Sequence, residues 1–440
     1  MEFVTSLPPA VGSRIRAELN DLKRTPQACA DEIGWKVEDL EDVLAGRAED
    51  ARVVAVIEAI LRNYPVSPQS FTASWDDTDE GVLYMSRRSS LESQRIFDRT
   101  SASGHRTPYY EYRDTAMSRL NGLRPEWIRP LRYTPNPDTD NKDVVLNNGH
   151  LLHQVTFFSN NVNFYYECDD QVQGVEMNWG DSNYIAPFVP HSFTSRDPEL
   201  EAFIVAITFP GPVKKALNSP VLASAGAWQR SMQRELAPGS DGENDFLDRR
   251  FVTLVEDIGE MLEASNSQDT EEGASESGLG VSRARLRCGN EGSVRLRTGR
   301  DESLLLNAGS NRQGLKIHQL ARPPSYLETT VLRLEFCDDR PNADDLPLAQ
   351  FTTYRGVYVY CLGPSVEITW VGTEGLRKRN LVSGDSVFVK PFVPFTFSGS
   401  VGSELISVAV PGDVTQTTLL DLCHHNDVDR AIVETRSWFD

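Results

Sequence analysis

Cysteine is sparse in this chain of 440 residues, and its six copies (Cys29, Cys168, Cys288, Cys337, Cys361, Cys423) form no CxxC pair. That scatter excludes a zinc knuckle and a disulfide framework, both of which need paired cysteines at set spacings. Nor is there a run of about 18 apolar residues, the minimum for a helix crossing a bilayer. The opening segment MEFVTSLPPAVGSR lacks the basic and apolar regions of a signal peptide, so a cytoplasmic protein is expected. Positive charge is also short, with 44 Lys and Arg against 64 Asp and Glu and a formal net charge of −20. Such a balance repels nucleic acid and anionic membranes, and an anionic ligand must be drawn in by a local group of basic residues.

The chain is too long for one hydrophobic core, so two or three domains are expected. Residues 11–65 have helical periodicity broken where a helix-turn-helix needs its turns. Thr25 before Pro26 is a cap followed by proline at the first helical position, and Gly34 and Gly46 suit helix ends. The pattern resembles the lambda-repressor type of helical domain. The segment that would read DNA, however, carries Glu38, Asp39, Glu41 and Asp42, and residues 11–65 hold 8 basic against 11 acidic side chains. Direct readout needs Arg or Lys toward phosphates and bases, so a structural or capping role is expected instead of DNA binding.

From about residue 100 the pattern becomes short alternating strands rich in Val, Ile, Phe, Tyr and Thr, broken by Gly, Pro, Asn and Asp. An internal repeat then fixes the architecture. Gly180–Phe193 (GDSNYIAPFVPHSF) and Gly384–Phe397 (GDSVFVKPFVPFTF) are identical at eight of fourteen positions, and each is followed by a strand ending in Pro-Gly. Two copies of one β-unit mean two similar barrels, so the expected class is mainly β: tandem cupin (double-stranded β-helix) barrels behind an α-helical domain. The expected boundaries are 1–68 for the helical domain, 69–215 for the first cupin, 216–300 for a helical and acidic linker containing LEASNSQDTEEGASESGLG, and 301–440 for the second cupin. The second is degenerate, because Phe395 stands where the first has His191. Only the first can hold a metal at this position.

Upstream of His191 lies LNNGHLLHQVTFF, an apolar strand entered through an Asn-Asn-Gly turn. Strand side chains alternate, so His150 and Gln154 point one way and His153 the other. His150, Gln154 and His191 can then face one interior. Two histidines and one oxygen donor make the facial arrangement of non-haem Fe(II) oxygenases, here with an amide as third ligand. The plainer reading is that each is a hydrogen-bonded interior residue, which a lone histidine in a β-protein more often is.

A helical domain followed by NNGH and GDS-x-Y-x-x-P-x-x-PHS resembles the phosphonate-cleaving iron oxygenases, the family of 2-hydroxyethylphosphonate dioxygenase and methylphosphonate synthase, over most of the chain. The more distant hydroxypropylphosphonate epoxidase has a shorter form of this layout. The dioxygenase carries a glutamate ligand six residues before the second histidine, and that position here is Ile185. The synthase branch has a glutamine four residues after the first histidine, which Gln154 matches. The resemblance implies Fe(II), with O₂ and 2-hydroxyethylphosphonate as reactants, and no 2-oxoglutarate. It implies carbon–carbon cleavage to methylphosphonate and carbon dioxide or bicarbonate, with hydroxymethylphosphonate plus formate as the alternative outcome. It further implies that Asn147, Tyr112 and Arg106, or Arg99 in place of Arg106, contact the phosphonate, that Tyr184 lines the pocket and that Ile185 forms its dry wall. Lys23 is implied to reach over the site from a neighbouring subunit of a dimer or tetramer. A serine of the family's anion site is replaced by Ala206. A ligand-sensing cupin regulator and a sugar isomerase or storage cupin are the readings of other classes. The acidic helix argues against the first, and the shortage of His and Glu ligands against the second.

Overall fold

The computed structural model describes residues 11–71, 76–102, 104–168, 171–211, 294–297, 303–306, 315–323, 328–337 and 352–424. The chain is mainly β with few helices and forms two compact units, Met1–Asp76 with Thr415–Asp440, and Asp77–Val414.

In the first unit, helices α1 (Val11–Asp21), α2 (Pro26–Ile33), α3 (Val37–Leu44) and α4 (Asp50–Asn63) enclose Ile15, Leu19, Cys29, Leu40, Val56 and Ile60. Thr25 caps α2 by accepting from Ala28 N at 3.2 Å, and Gly34 ends it in the left-handed region at φ 75°. Lys23 is exposed in the turn between α1 and α2, itself at φ 57°.

The second unit is built twice over on one winding scheme. In its first half β5 (His153–Phe158), β8 (Ser182–Ile185) and β10 (Ile204–Phe209) lie in a seven-stranded sheet, while β6 (Val162–Cys168), β7 (Gln171–Met177) and β9 (His191–Ser195) form a three-stranded one. The larger sheet is completed by β2 (Arg95–Thr100), β3 (Arg106–Asp114) and β4 (Arg124–Pro130). In the second half β15 (Arg355–Gly363), β18 (Ser386–Val389) and β20 (Glu404–Pro411) alternate in the same way with β16 (Ser365–Gly372), β17 (Gly375–Val382) and β19 (Phe395–Gly399), and β12 (Ser303–Leu306), β13 (Leu315–Gln319) and β14 (Thr330–Phe336) extend the larger sheet. Each pair of sheets closes over its own core, Phe158, Phe164, Ile185 and Phe193 in the first half and Val357, Ile368, Phe395 and Leu405 in the second. A third core, with Phe157, Tyr184, Val205, Tyr358, Phe388 and Ile406, joins the two large sheets.

Two strands cross the boundaries expected from sequence. Strand β1 (Val82–Met85), inside the span assigned to the first barrel, pairs with β18 of the second half. Conversely β11 (Val294–Arg297), inside the expected linker, pairs with β8 of the first half. Both are strands of four residues whose partner is set by an available sheet edge, which adjacency in sequence does not show. The acidic stretch of the linker lies outside the described residues. Among the described residues no helix is long and apolar enough to cross a membrane.

Candidate metal centre

Two loops of the first half are locked together. Gly149 (φ 70°) closes the Asn-Asn-Gly turn, and a Cβ there would lie 2.5 Å from the Phe188 backbone. Phe188 N donates to His150 O at 2.9 Å, with Phe188 itself in the left-handed region at φ 63°, a strained state for a bulky residue. This contact brings the His150 and His191 rings to 5.4 Å between centroids at 87°. His150 therefore precedes β5 in irregular backbone, and strand alternation does not place it. Alternation does hold for the next residues, with Gln154 inward and His153 outward, where His153 stacks on Tyr184 and Phe209 and its Nδ1 lies 2.8 Å from the Tyr184 hydroxyl.

Hydrogen bonds fix how the inward donors point. His150 Nδ1 lies 3.0 Å from Leu152 O and His191 Nδ1 lies 2.8 Å from Val189 O. A carbonyl only accepts, so each Nδ1 carries the proton and each Nε2 turns a lone pair inward, the arrangement of metal-binding imidazoles. Gln154 Nε2 donates to Thr156 Oγ1 at 3.0 Å, which aims Oε1 at His150 Nε2, 3.1 Å away. Two lone-pair atoms thus face each other, a contact that a cation between them relieves. The spacing suits two cis donors, since metal bonds of about 2.1 Å at a right angle separate them by about 3.0 Å. Burial pushes the His191 imidazole down to about 4, favouring the neutral, ligating form. Among the described residues no group of three or more His, Cys, Asp or Glu could hold a metal, and the oxygen beside the two imidazoles is that of an amide. His150, Gln154 and His191 fit a single divalent ion.

These side chains border a cavity of about 370 Å³. Asn147 ties its rim: its Oδ1 accepts from Gly149 N and His191 N, both at 2.9 Å, and its Nδ2 lies 3.1 Å from His191 Nε2. Tyr112 lines the wall, its hydroxyl pushed up to about 12 by burial and so kept as a donor. Arg99 also lines it, its guanidinium 4.8 Å from the centroids of both Tyr109 and Tyr110 and bonded to Val145 O.

Four expected residues lie elsewhere. Arg106 is on the surface, its side chain 74% exposed and 3.4 Å from Asp98, so the alternative, Arg99, holds the cavity position. Tyr184 faces the core between the large sheets instead of the cavity, because it is the cross-strand partner of Val155 and shares its outward face. Ile185 pairs with Gln154 on the inward face and is fully buried, but it packs into the interior core and does not border the cavity. Lys23 belongs to the helical unit. Sequence reasoning missed Tyr110, Arg124, Glu126 and Thr208, all cavity-lining. Arg124 and Glu126 do share one face of β4 by the two-residue period, yet only the register Arg124–Thr208–Gln154 and Glu126–Ala206–Thr156 across three strands turns that face toward the cavity that Gln154 lines. Glu126 is held by Arg95 Nη2 at 3.0 Å, and burial raises its carboxyl above the ordinary range.

A mainly β chain that gathers two imidazoles and one amide oxygen at one end of a cavity has the makeup of a mononuclear metal protein of the facial, three-donor class. No family model matches the chain. A methylphosphonate synthase of Nitrosopumilus maritimus (strain SCM1) is 29% identical over 459 residues, covering 98% of this chain and 95% of that protein. The structure of a Streptomyces albus 2-hydroxyethylphosphonate dioxygenase, with 2-hydroxyethylphosphonate and Fe(II) bound, is 30% identical, with a TM-score of 0.75 and 96% of each chain covered. A further 2-hydroxyethylphosphonate dioxygenase structure, 18% identical with a TM-score of 0.63 over 96% of this chain and 99% of that one, shares the fold. The chain belongs to the family of methylphosphonate synthase and 2-hydroxyethylphosphonate dioxygenase.

Proposed function

We propose that the chain is an Fe(II)- and O₂-dependent oxygenase that cleaves the carbon–carbon bond of 2-hydroxyethylphosphonate, giving methylphosphonate and bicarbonate. The atoms balance, since the hydroxymethyl fragment gives one hydrogen to the phosphonate carbon, which becomes the methyl group, and leaves with both oxygens of O₂ as carbonic acid. The observation that carries the reading is the donor set itself: His150, His191 and the amide of Gln154, with the apolar Ile185 opposite Gln154. Iron held there supplies redox activation of O₂ and a Lewis-acid anchor for the substrate's hydroxyl and phosphonate oxygens. Arg99, Tyr112 and Asn147 orient the phosphonate by charge-assisted hydrogen bonds. In this reading each two-sheet half is a cupin, the second degenerate, and the helices of the first unit are a helix-turn-helix turned to capping. Arg47 and Arg52 are already paired with Asp42 and Asp39 beside α3, which leaves that face no cationic surplus for DNA. Lys23 approaches the phosphonate from a neighbouring subunit of a cytoplasmic homo-oligomer. Lys23→Ala should then raise KM by roughly 10- to 150-fold, the equivalent of about 1.5–3 kcal/mol for a hydrogen bond to a charged group. Unchanged KM with specific duplex DNA binding would reverse that role.

The second reading, hydroxymethylphosphonate plus formate, is favoured by the near-equal likeness to the dioxygenase. A neutral Gln154, with no carboxylate at position 185 to replace it, favours hydrogen transfer to the phosphonate carbon radical over hydroxylation, and so methylphosphonate. Aerobic incubation of the Fe(II)-loaded protein with 2-hydroxyethylphosphonate, read by ³¹P NMR, decides between them. Methylphosphonate as chief product supports the first reading, hydroxymethylphosphonate the second, and unconsumed substrate neither.

A further inference from the structure

The cavity has two arginines on its lining, and their circumstances differ. Arg99 is committed to Val145 O and to the faces of Tyr109 and Tyr110. Arg95, on the same sheet, is committed to Asp114 at 2.6 Å and Glu126 at 3.0 Å. The side chain of Arg124 makes no hydrogen bond or ion pair among the described residues, and it is exposed. It lies in the row Arg124–Thr208–Gln154, two strand spacings or about 10 Å from a metal donor at the backbone, a gap that an extended arginine side chain largely spans.

Its place is also a junction. A second cavity, of about 530 Å³, adjoins the first, and Arg124 and Met117 line both. The carboxylates of that second cavity are already occupied: Asp77 accepts from Ser118 Oγ at 2.6 Å and Arg119 N at 2.9 Å, and Asp114 from Arg95. In the second half of the unit, where Phe395 stands in place of His191, register puts Thr330 where Arg124 stands, so the cation accompanies the histidine-bearing half and not the fold.

We propose that Arg124 is the residue that captures the anionic substrate, taking the phosphonate group from the outer cavity and passing it to the metal face, and that it sets the preference for dianionic over neutral substrates. The inference rests on the functional reading above. In a chain of net charge −20 a dianion is repelled at long range, and a guanidinium with no partner among the described residues, at the mouth, reverses that locally.

The test measures Arg124→Ala and Arg124→Lys beside the wild type, in steady-state turnover at several ionic strengths and in anaerobic calorimetric titration of the metal-loaded protein with 2-hydroxyethylphosphonate. Arg124→Ala should lower kcat/KM by about 10- to 100-fold, leave kcat within about twofold, weaken binding to a similar extent and flatten the salt dependence. Arg124→Lys, which keeps the charge, should recover most of the loss. If the wild type binds the phosphonate and Arg124→Ala binds it equally with the same salt slope, the inference is overturned and the functional reading stands. If the wild type itself neither binds nor consumes it, the functional reading falls and takes this inference with it.

Discussion

The two halves of the β unit share a skeleton down to single hydrogen bonds, yet one borders a cavity with two histidines on its lining and the other packs an apolar core. Gly180 N donates to Phe158 O at 3.1 Å in the first, and Gly384 N to Cys361 O at 2.9 Å in the second. Phe188 N bonds His150 O, and Phe392 N bonds Thr353 O, with both phenylalanines at positive φ. Following these pairs through the strand registers, Thr353, Val357 and Phe395 take the places of His150, Gln154 and His191, while Leu332 and Ile317 take those of Glu126 and Tyr112. The strained loop and the capped turn are therefore properties of the scaffold. The two halves differ instead at about five interior positions, where apolar substitution changes the chemistry on offer without changing the fold.

Exchanging residues between the halves breaks the comparison most sharply at the donors. His150→Ala or His191→Ala should abolish metal retention and turnover, and His191→Phe, which copies the second half, should do the same while the protein stays folded. Phe395→Ala should leave metal content at one ion per chain. Elemental analysis after desalting reads all four, and two ions per wild-type chain would sink the asymmetry. Gln154→Val, the residue of the second half, should weaken metal binding by at least the roughly 10- to 100-fold seen when a ligand merely loses its supporting partner. Undiminished affinity would mean that Gln154 is an interior amide and not a donor.

Stability should show the opposite dependence. Phe395 is buried among Val357, Ile368 and Phe397, whose ring centroid is 5.5 Å away, so Phe395→Ala opens a void at a cost of about 3–5 kcal/mol. Denaturant unfolding checks this, and a loss below about 1 kcal/mol would mean that the second half is not packed as a core.

Much of this contrast was legible beforehand, because a repeat of fourteen residues with a histidine replaced by phenylalanine states both the shared fold and the unequal chemistry. Thr25, Gly34 and Gly149 were readable for the same reason: each answers a local backbone requirement. The failures share a cause too. Arg99 and Arg106 are both basic residues of one hairpin, and only the bulge at Phe97/Asp98 and the packing on Tyr109 and Tyr110 select between them. Tyr184 and Ile185 are adjacent, and which one faces the interior depends on register with β5, a long-range fact. The same applies to β1 and β11, each bound to the half from which sequence would separate it.

The smallest expected effect tests whether the two halves meet as equals. Ser182 Oγ accepts from Ala321 N at 2.9 Å, and its counterpart in the repeat, Ser386 Oγ, accepts from Ala116 N at 2.9 Å. Each is a side chain of one half satisfying a buried backbone N–H of a segment packed on it, and all four residues are at most 5% exposed. Serine to alanine at either position removes the acceptor without changing volume much, leaving an N–H that water cannot reach, for about 1–3 kcal/mol. Because the two bonds share no partner, the losses should be alike and the double variant should add them to within about 0.5 kcal/mol. The metal centre should be indifferent to both, since neither serine borders the cavity. A large loss at Ser182 with none at Ser386 would show that the joint is maintained on the catalytic side only, and that the second half is held by its apolar face alone.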